Sequence, residues 1–239
     1  MYHSILKTRS NKYIISPEKL ENDLKYIKAK GYTTITMTDL IEYVYNDRPL
    51  PEKPIILTFD DGHYNNYAYV VPLLVQYDMK AVISVVGTFT EQFTESNEAN
   101  INYGYLRWVD INMLIPQGNV EFQNHTYNMH INGRGRNGSM KKRGESVEEY
   151  RKILTEDVMR LQRDFQDMAF YTPNTFTYPF GAVSKESFPI IKEMGFKASL
   201  GCSSGVNYIT KDPECLYLLK RNNRDNSTST QSFFDKLLE

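Results

Sequence analysis

The sequence of 239 residues contains little cysteine, tryptophan or histidine and carries almost no net charge. Its two cysteines, Cys202 and Cys215, match no zinc-ribbon spacing, and we expect free, inert thiols rather than a disulfide. With 28 basic and 29 acidic residues the net charge is -1, which does not favour nucleic acid as a partner. No run of about 18 apolar residues is present, which argues against a membrane-spanning helix. We expect a monomer.

The order of apolar and polar residues predicts one α/β domain over residues 1–239. Strand-like segments lie at 2–6, 32–37, 54–59, 80–87, 120–127, 175–181, 196–201 and 216–221. Helix-like segments lie at 16–31, 38–45, 65–78, 108–118, 146–168, 185–195 and 233–238. This alternation indicates a sheet of about seven parallel strands, either open or closed into a barrel.

Three predicted strands end in residues that can carry chemistry, in "LTFDDGH", "FQNHTYNMH" and "TYPFG". In parallel α/β folds, ligands bind at the carboxyl ends of the strands. His125 and His130 are five positions apart, a spacing that points them in different directions on a helix and on a strand. They converge only if His125 ends the strand and His130 returns from the following loop. Otherwise they are two unrelated histidines.

Asp60 and Asp61 are adjacent, and each raises the cost of ionising the other. The pair forms either a solvated Asp-Gly turn or a cation site. Asp61, His125 and His130 would give three ligands and leave open positions, as a catalytic metal requires. A divalent ion acidifies bound water, and Asp60 would then accept the proton. Gly62 would let the chain turn sharply out of the strand.

These motifs resemble those of the polysaccharide deacetylases of carbohydrate esterase family four. "TFDDG" at 58–62 matches the first family motif, "HTYNMH" at 125–130 is similar to the metal-binding second motif, and "YPFG" at 178–181 is similar to the third. The histidine spacing and the segments "YHSI", "GYTTITMTDLI" and "LPEKPIILTFDDG" resemble the branch that deacetylates poly-N-acetylglucosamine. The resemblance therefore covers nearly the whole chain.

The resemblance implies a distorted (β/α) barrel that hydrolyses N-acetyl groups of a cell-wall polymer or exopolysaccharide. It implies an extracellular or cell-surface enzyme, with the export signal absent from this sequence. Asp61, His125 and His130 would hold a divalent metal, with zinc expected first and cobalt or nickel as alternatives. Asp60 would be the general base, and the backbone N–H of Phe180 would help to stabilise the oxyanion.

The residues expected to contact the substrate come from several segments. Tyr178 and Pro179 would shape the wall of the site, or would form only a strand end and a turn. His3, on the first strand, would project into the barrel mouth or make a structural hydrogen bond. Trp108 would be a platform for a sugar ring or a part of the core.

The general acid has no assigned residue. The family usually supplies it from a late histidine, and no histidine follows His130. Arg221 lies roughly at that place, and because arginine keeps its charge we expect it to pair with Asp60 or with a substrate oxygen. His63 is the remaining histidine, and we expect it to be exposed to solvent.

The segment at 131–146 is rich in glycine and basic residues. It would be either a solvated flexible loop or a cationic lip that attracts anionic polymer. The missing acid keeps two other functions open for the chain. One is a polysaccharide-binding domain without efficient turnover. The other is an O-acetyl esterase, whose alkoxide leaving group needs less protonation than an amine.

Overall fold

The computed structural model describes residues 1–133 and 135–238. The strands are β1 (Ser4–Ile5), β2 (Ile14–Ile15), β3 (Thr33–Thr34), β4 (Pro54–Ile55), β5 (Thr58–Phe59), β6 (Ala81–Val85), β7 (Val120–Asn124), β8 (Asn132–Gly133), β9 (Arg136–Asn137), β10 (Thr175–Thr177) and β11 (Ala198–Leu200). The helices are α1 (Pro17–Ala29), α2 (Met37–Asn46), α3 (Val71–Tyr77), α4 (Gly87–Ser96), α5 (Trp108–Leu114), α6 (Val147–Ala169), α7 (Ser187–Glu193) and α8 (Thr230–Leu238). None of these described helices combines the length and the apolar character needed to cross a membrane.

Five parallel strands form the central sheet, in the order β11, β10, β7, β6, β5. Every residue of β6 and β7 is buried, because structure covers both faces of the sheet. Ile83 on one face packs in a core with apolar side chains of α1, α3, α5 and α6. Val82, on the opposite face, packs with α2. The strand ends are therefore held by a rigid scaffold.

The sheet continues past both of its edge strands through single bridges. Tyr2 pairs with Phe59 beside β5, and Leu219 pairs with Leu200 beside β11. The two flanking segments then meet, because the amino group of Met1 donates to the Asn222 carbonyl at 2.9 Å. The sheet thus curls into a distorted barrel, as predicted. The first and last parts of the barrel join next to the end of β5.

The expected number of about seven strands was too high, because the central sheet has five. The segment at 216–221 is not a strand. It begins in a 3₁₀ turn, Pro213–Leu216, and Leu218 has φ 56°, which interrupts an extended backbone. Helix α4 and the hairpin of β8 and β9 were not predicted.

The capping residues in the sequence mark the ends of the main helices correctly. The Ser16 hydroxyl caps α1 by accepting the backbone N–H of Lys19 at 3.1 Å. Ser146 and Glu149 form a capping box at the start of α6. Helix α6 packs beside the end of β7, where the Asn124 side-chain amide donates to the Val158 carbonyl at 3.0 Å.

Candidate active site and metal centre

The ends of β5 and β7 deliver the predicted metal ligands to one point. Asp61 follows β5 and His125 follows β7, while His130 returns from the loop after β7. One ligand atom of each of these three residues lies within 4.8 Å of the others. The predicted convergence of the three side chains is confirmed.

A single backbone reversal allows His125 and His130 to converge although they are five positions apart. Thr126 has φ 71°, so the chain turns out of the sheet directly after His125. His130 then comes back toward the same point, and the two imidazole centroids are 5.0 Å apart. The Nε2 atoms of His125 and His130 lie 3.5 and 3.1 Å from Oδ1 of Asp61.

The donor set fits a divalent metal ion. Nδ1 of His125 lies 2.8 Å from the Thr177 carbonyl, which can only accept a hydrogen bond. Nδ1 therefore carries a proton, and Nε2 is the atom of His125 that faces Asp61 and is available to a metal ion. Oδ1 of Asp61 is buried, and no hydrogen bond of acceptable geometry reaches it within the described part of the chain. Two imidazole nitrogens and one carboxylate oxygen are ligands that zinc and related ions accept.

Asp61 is held in its ionised form by three histidines. Burial alone would raise the pKa of this carboxyl, but His125, His130 and His63 outweigh burial and hold it well below its usual range. Nε2 of His63 lies 3.4 Å from Oδ2 of Asp61, and its ring stacks on Tyr105 with centroids 4.8 Å apart. The expectation that His63 is exposed was wrong, because its ring packs between Asp61 and Tyr105.

Asp60 lies beside this site and forms a buried ion pair with Arg221. Two guanidinium nitrogens of Arg221 donate to the two carboxylate oxygens at 2.6 and 2.8 Å. Burial would raise the pKa of Asp60, but the Arg221 charge overrides it and lowers the pKa to about 2. Arg221 therefore pairs with Asp60, one of its two predicted partners. Because both arms of the fork are occupied, its assignment to the substrate was wrong.

The turn after β10 presents the backbone of Phe180. Phe180 has φ 59°, and its ring lies 4.4 Å from the His130 ring, with 48% of the residue exposed. No hydrogen bond from the backbone N–H of Phe180 to another described residue is formed. Tyr178 and Pro179 are buried, and the Tyr178 hydroxyl bonds Ser187 at 2.9 Å. The prediction that these two residues form the substrate wall was wrong.

His3 reaches the site from the strand that closes the barrel. Its ring packs edge-on against Tyr13 at 4.8 Å, and its Nδ1 is buried without a hydrogen-bond partner in the described chain. Burial lowers the pKa of His3, while the nearby carboxylates of Asp60 and Asp61 oppose this shift. The role of His3 at the barrel mouth stays a prediction.

Trp108 does not belong to the site. Its side chain is 6% exposed and packs at right angles against Phe165, with ring centroids 5.1 Å apart. The prediction of a sugar platform was wrong, and the alternative of core packing is confirmed. A single tryptophan cannot be assigned to core or surface from its position in the sequence.

The basic segment at 131–146 is more structured than a free loop. Arg136 is buried and pairs with Glu145, while the Lys141 ammonium donates to the Glu145 carbonyl at 2.7 Å. Arg134 lies outside the described residues. Arg136 and Lys141 thus use their charges within the segment itself. Lys142 and Arg143 remain at least partly exposed to solvent, as a cationic lip requires.

The sequence did not reveal the part played by Asp157 on α6. Its two carboxylate oxygens accept the backbone N–H groups of Tyr127 and Asn128, at 2.8 and 2.9 Å. An acidic residue between the buried positions Leu154 and Val158 was the available signal, because a carboxylate next to an apolar stripe needs a partner.

The fold and the site together define a class of protein. A carboxylate beside an Asp-His-His donor set, at the carboxyl edge of a curled parallel sheet, is the arrangement of a metal-dependent hydrolase. The chain belongs to the polysaccharide deacetylase family, whose model matches residues 47–199, more than half of its length.

Known relatives share this fold over almost the whole chain. A de-N-acetylase from Aggregatibacter actinomycetemcomitans superposes with a TM-score of 0.84 at 22% identity, covering 99% of this chain and 97% of that one. A Streptococcus pyogenes deacetylase, solved in complex with acetate, has a TM-score of 0.79 at 19% identity and covers 100% and 96% of the two chains. Poly-beta-1,6-N-acetyl-D-glucosamine N-deacetylase of Escherichia coli K12 is 23% identical over 78% of this chain. The match spans 30% of the length of that relative.

Proposed function

We propose that residues 1–239 form the catalytic domain of a metal-dependent N-deacetylase. Its substrate would be an N-acetylglucosamine-containing polysaccharide outside the cell. The observation that carries the proposal is the position of Asp60, a carboxylate paired with Arg221, beside the convergent donors of Asp61, His125 and His130. The E. coli relative is named a poly-beta-1,6-N-acetyl-D-glucosamine N-deacetylase, which supports the choice of polymer.

Asp61, His125 and His130 would hold the divalent ion, with zinc expected first and cobalt or nickel as alternatives. When bound, such an ion polarises a carbonyl oxygen and makes water acidic near neutral pH. The Thr177 carbonyl keeps His125 in the tautomer that presents Nε2 to the site. The protein thus orders the donors before any ligand arrives.

Asp60 would accept a proton from the attacking water. Arg221 keeps Asp60 ionised down to a pKa of about 2, so the acceptor is available at every physiological pH. The same ion pair makes Asp60 a weak base. Catalysis by Asp60 therefore requires a water that is already acidic, which is consistent with a neighbouring cation.

The tetrahedral oxyanion and the leaving amine need partners as well. The backbone N–H of Phe180, which makes no hydrogen bond to another described residue, would donate to the oxyanion, a contribution of roughly 3–4 kcal/mol in known oxyanion holes. His3 would protonate the amine, since its Nδ1 has no partner in the described chain and the charges of Asp60 and Asp61 act on its ring. A histidine can release a proton from its charged form, whereas Arg221 cannot release its proton.

Acetate release from N-acetylglucosamine oligomers and from O-acetylated xylan, measured side by side with zinc supplied, tests the function. Release from the oligomers alone is the expected result, and Asp60→Asn should abolish it while zinc binding remains. Release from xylan alone would identify an esterase instead. No release from either polymer, with zinc bound tightly, would favour a binding domain.

A further inference from the structure

We propose, on the basis of the proposed metal-dependent function, that Asp157 is a positioning residue that sets the metal-ligand geometry. It does so by fixing the loop between His125 and His130. Oδ1 of Asp157 accepts the backbone N–H of Tyr127 at 2.8 Å, and Oδ2 accepts that of Asn128 at 2.9 Å. No hydrogen bond or ion pair joins Asp157 to either histidine among the described residues, so it would act through the backbone that joins them.

The position of the loop matters because only residues 126–129 separate the two ligands His125 and His130. Thr126, with φ 71°, reverses the chain, and a small change there would move His130 relative to His125. On the side of α4, the carbonyls of Thr126 and Tyr127 accept the N–H groups of Gly87 and Thr88 at 3.0 and 2.8 Å. Asp157 binds the same loop from the side of α6. The loop is therefore held between two helices.

The side chain of Tyr127 fixes the loop a second time. Its hydroxyl bonds Glu91, and the Arg160 guanidinium lies over its ring at 5.0 Å from the centroid. A Cβ atom at Gly87 would come within 2.5 Å of the Tyr127 ring, so the loop and α4 are in close contact. With Tyr127 fixed in this way, its N–H points in a defined direction toward Asp157.

An ionised Asp157 lowers the stability of the folded protein. Burial raises its pKa to about 6, although two backbone N–H groups and Arg136 act to lower it. No salt bridge to Asp157 is formed within residues 1–133 and 135–238. Because the folded pKa lies above the ordinary value of 3.8, stability falls as the pH rises from about 4 through 6. Ionised Asp157 lowers the stability of the fold at neutral pH. Its presence at this position is therefore better explained by the hydrogen bonds with which it holds the loop between His125 and His130.

The test compares Asp157→Ala, Asp157→Asn and Asp167→Asn with the full chain. Asp167 lies on the same helix, is exposed, and serves as the matched control for loss of one negative charge. Zinc affinity is measured by competition with a chromophoric chelator, and the thermal midpoint is measured on the metal-free proteins. We expect Asp157→Ala to lower zinc affinity about 10- to 100-fold, as other supporting residues of metal ligands do. Asp157→Asn should lose less, because its amide oxygen can still accept one N–H.

Wild-type zinc affinity in a folded Asp157→Ala variant would overturn the inference. A loss of affinity equal to that of Asp167→Asn would overturn it as well. If Asp157→Ala does not fold, Asp157→Asn decides in the same way. Failure of the unmodified chain to bind zinc would instead reject the metal site itself, so the two failures are distinguishable.

Discussion

Replacement of Arg221 by methionine should both destabilise the protein and change the titration of Asp60. The pair is fully buried, and the Asp60 pKa of about 2 lies below its ordinary value of 3.8. The pair therefore contributes stability above pH 4 that is lost as the pH falls from about 4 to 2. Without Arg221 the burial of Asp60 is no longer offset by this cation, so its pKa should rise above the ordinary value.

The size of the effect follows from the geometry of the pair. Both carboxylate oxygens are engaged, at 2.6 and 2.8 Å, and removal of one partner of a buried ion pair costs about 3–5 kcal/mol. A rise of the Asp60 pKa from about 2 to 3.8 or higher corresponds to at least roughly 2 kcal/mol of this total. Small domains have total stabilities of about 5–15 kcal/mol, so the loss is readily measurable.

Urea unfolding at pH 7 measures the stability term, and kcat/KM for acetate release between pH 4 and 8 measures the titration. In the unmodified protein the acid limb of Asp60 lies below this range, near its pKa of about 2, and in Arg221→Met it should move up toward or into the range. Arg221→Lys keeps the charge but loses the two-pronged geometry, and it should lie between the two proteins. Unchanged stability within about 0.5 kcal/mol, together with an unchanged acid limb, would refute the reasoning. If Arg221→Met does not fold, the lysine variant carries the comparison.

Removal of metal by a chelator should abolish acetate release, and zinc should restore it; activity that survives exhaustive chelation contradicts the metal site. His3→Gln should reduce kcat about 100-fold or more with zinc affinity retained. An equal loss of zinc binding would show that His3 supports the ligands instead. Trp108→Ala should lower the free energy of unfolding by about 3–5 kcal/mol and leave KM unchanged, and a raised KM would return Trp108 to the substrate site. Gly62→Ala should weaken folding and zinc binding, because Gly62 has φ 72° and a Cβ would lie 2.8 Å from Val85; unchanged thermal midpoint and affinity would contradict this.

The metal ligands could be predicted because their chemistry is rare and local. Four histidines and one Asp-Asp pair leave few ways to build a three-ligand site, and the strand ends bring them to one edge. The helices with serine caps were also readable, since capping is a local hydrogen-bond pattern. Helix α4 was missed because "GTFTEQFTES" has three threonines and no clear apolar period.

The burial of individual aromatic residues could not be predicted in the same way. Tyr178 and Trp108 are buried, whereas Phe180 is half exposed, and nothing in their neighbours along the chain distinguishes them. The closure of the barrel depends on contacts between residues far apart in sequence, such as Tyr2 with Phe59. Leu218 interrupts the expected last strand because its φ is 56°. Leucine has no preference for positive φ, so the sequence does not predict this angle.

The closure of the barrel also makes activity depend on the order in which the chain is synthesised. His3 is made early and Asp60 soon afterwards, but Arg221 follows Asp60 by 161 positions. Until the segment at 219–224 has emerged and docked, Asp60 lacks the cation that offsets its burial, and the barrel wall beside it is not closed. We therefore expect a nascent or partly folded chain to release no acetate. The proposed base and the cation beside it are brought together only when the segments around Met1 and Asn222 meet.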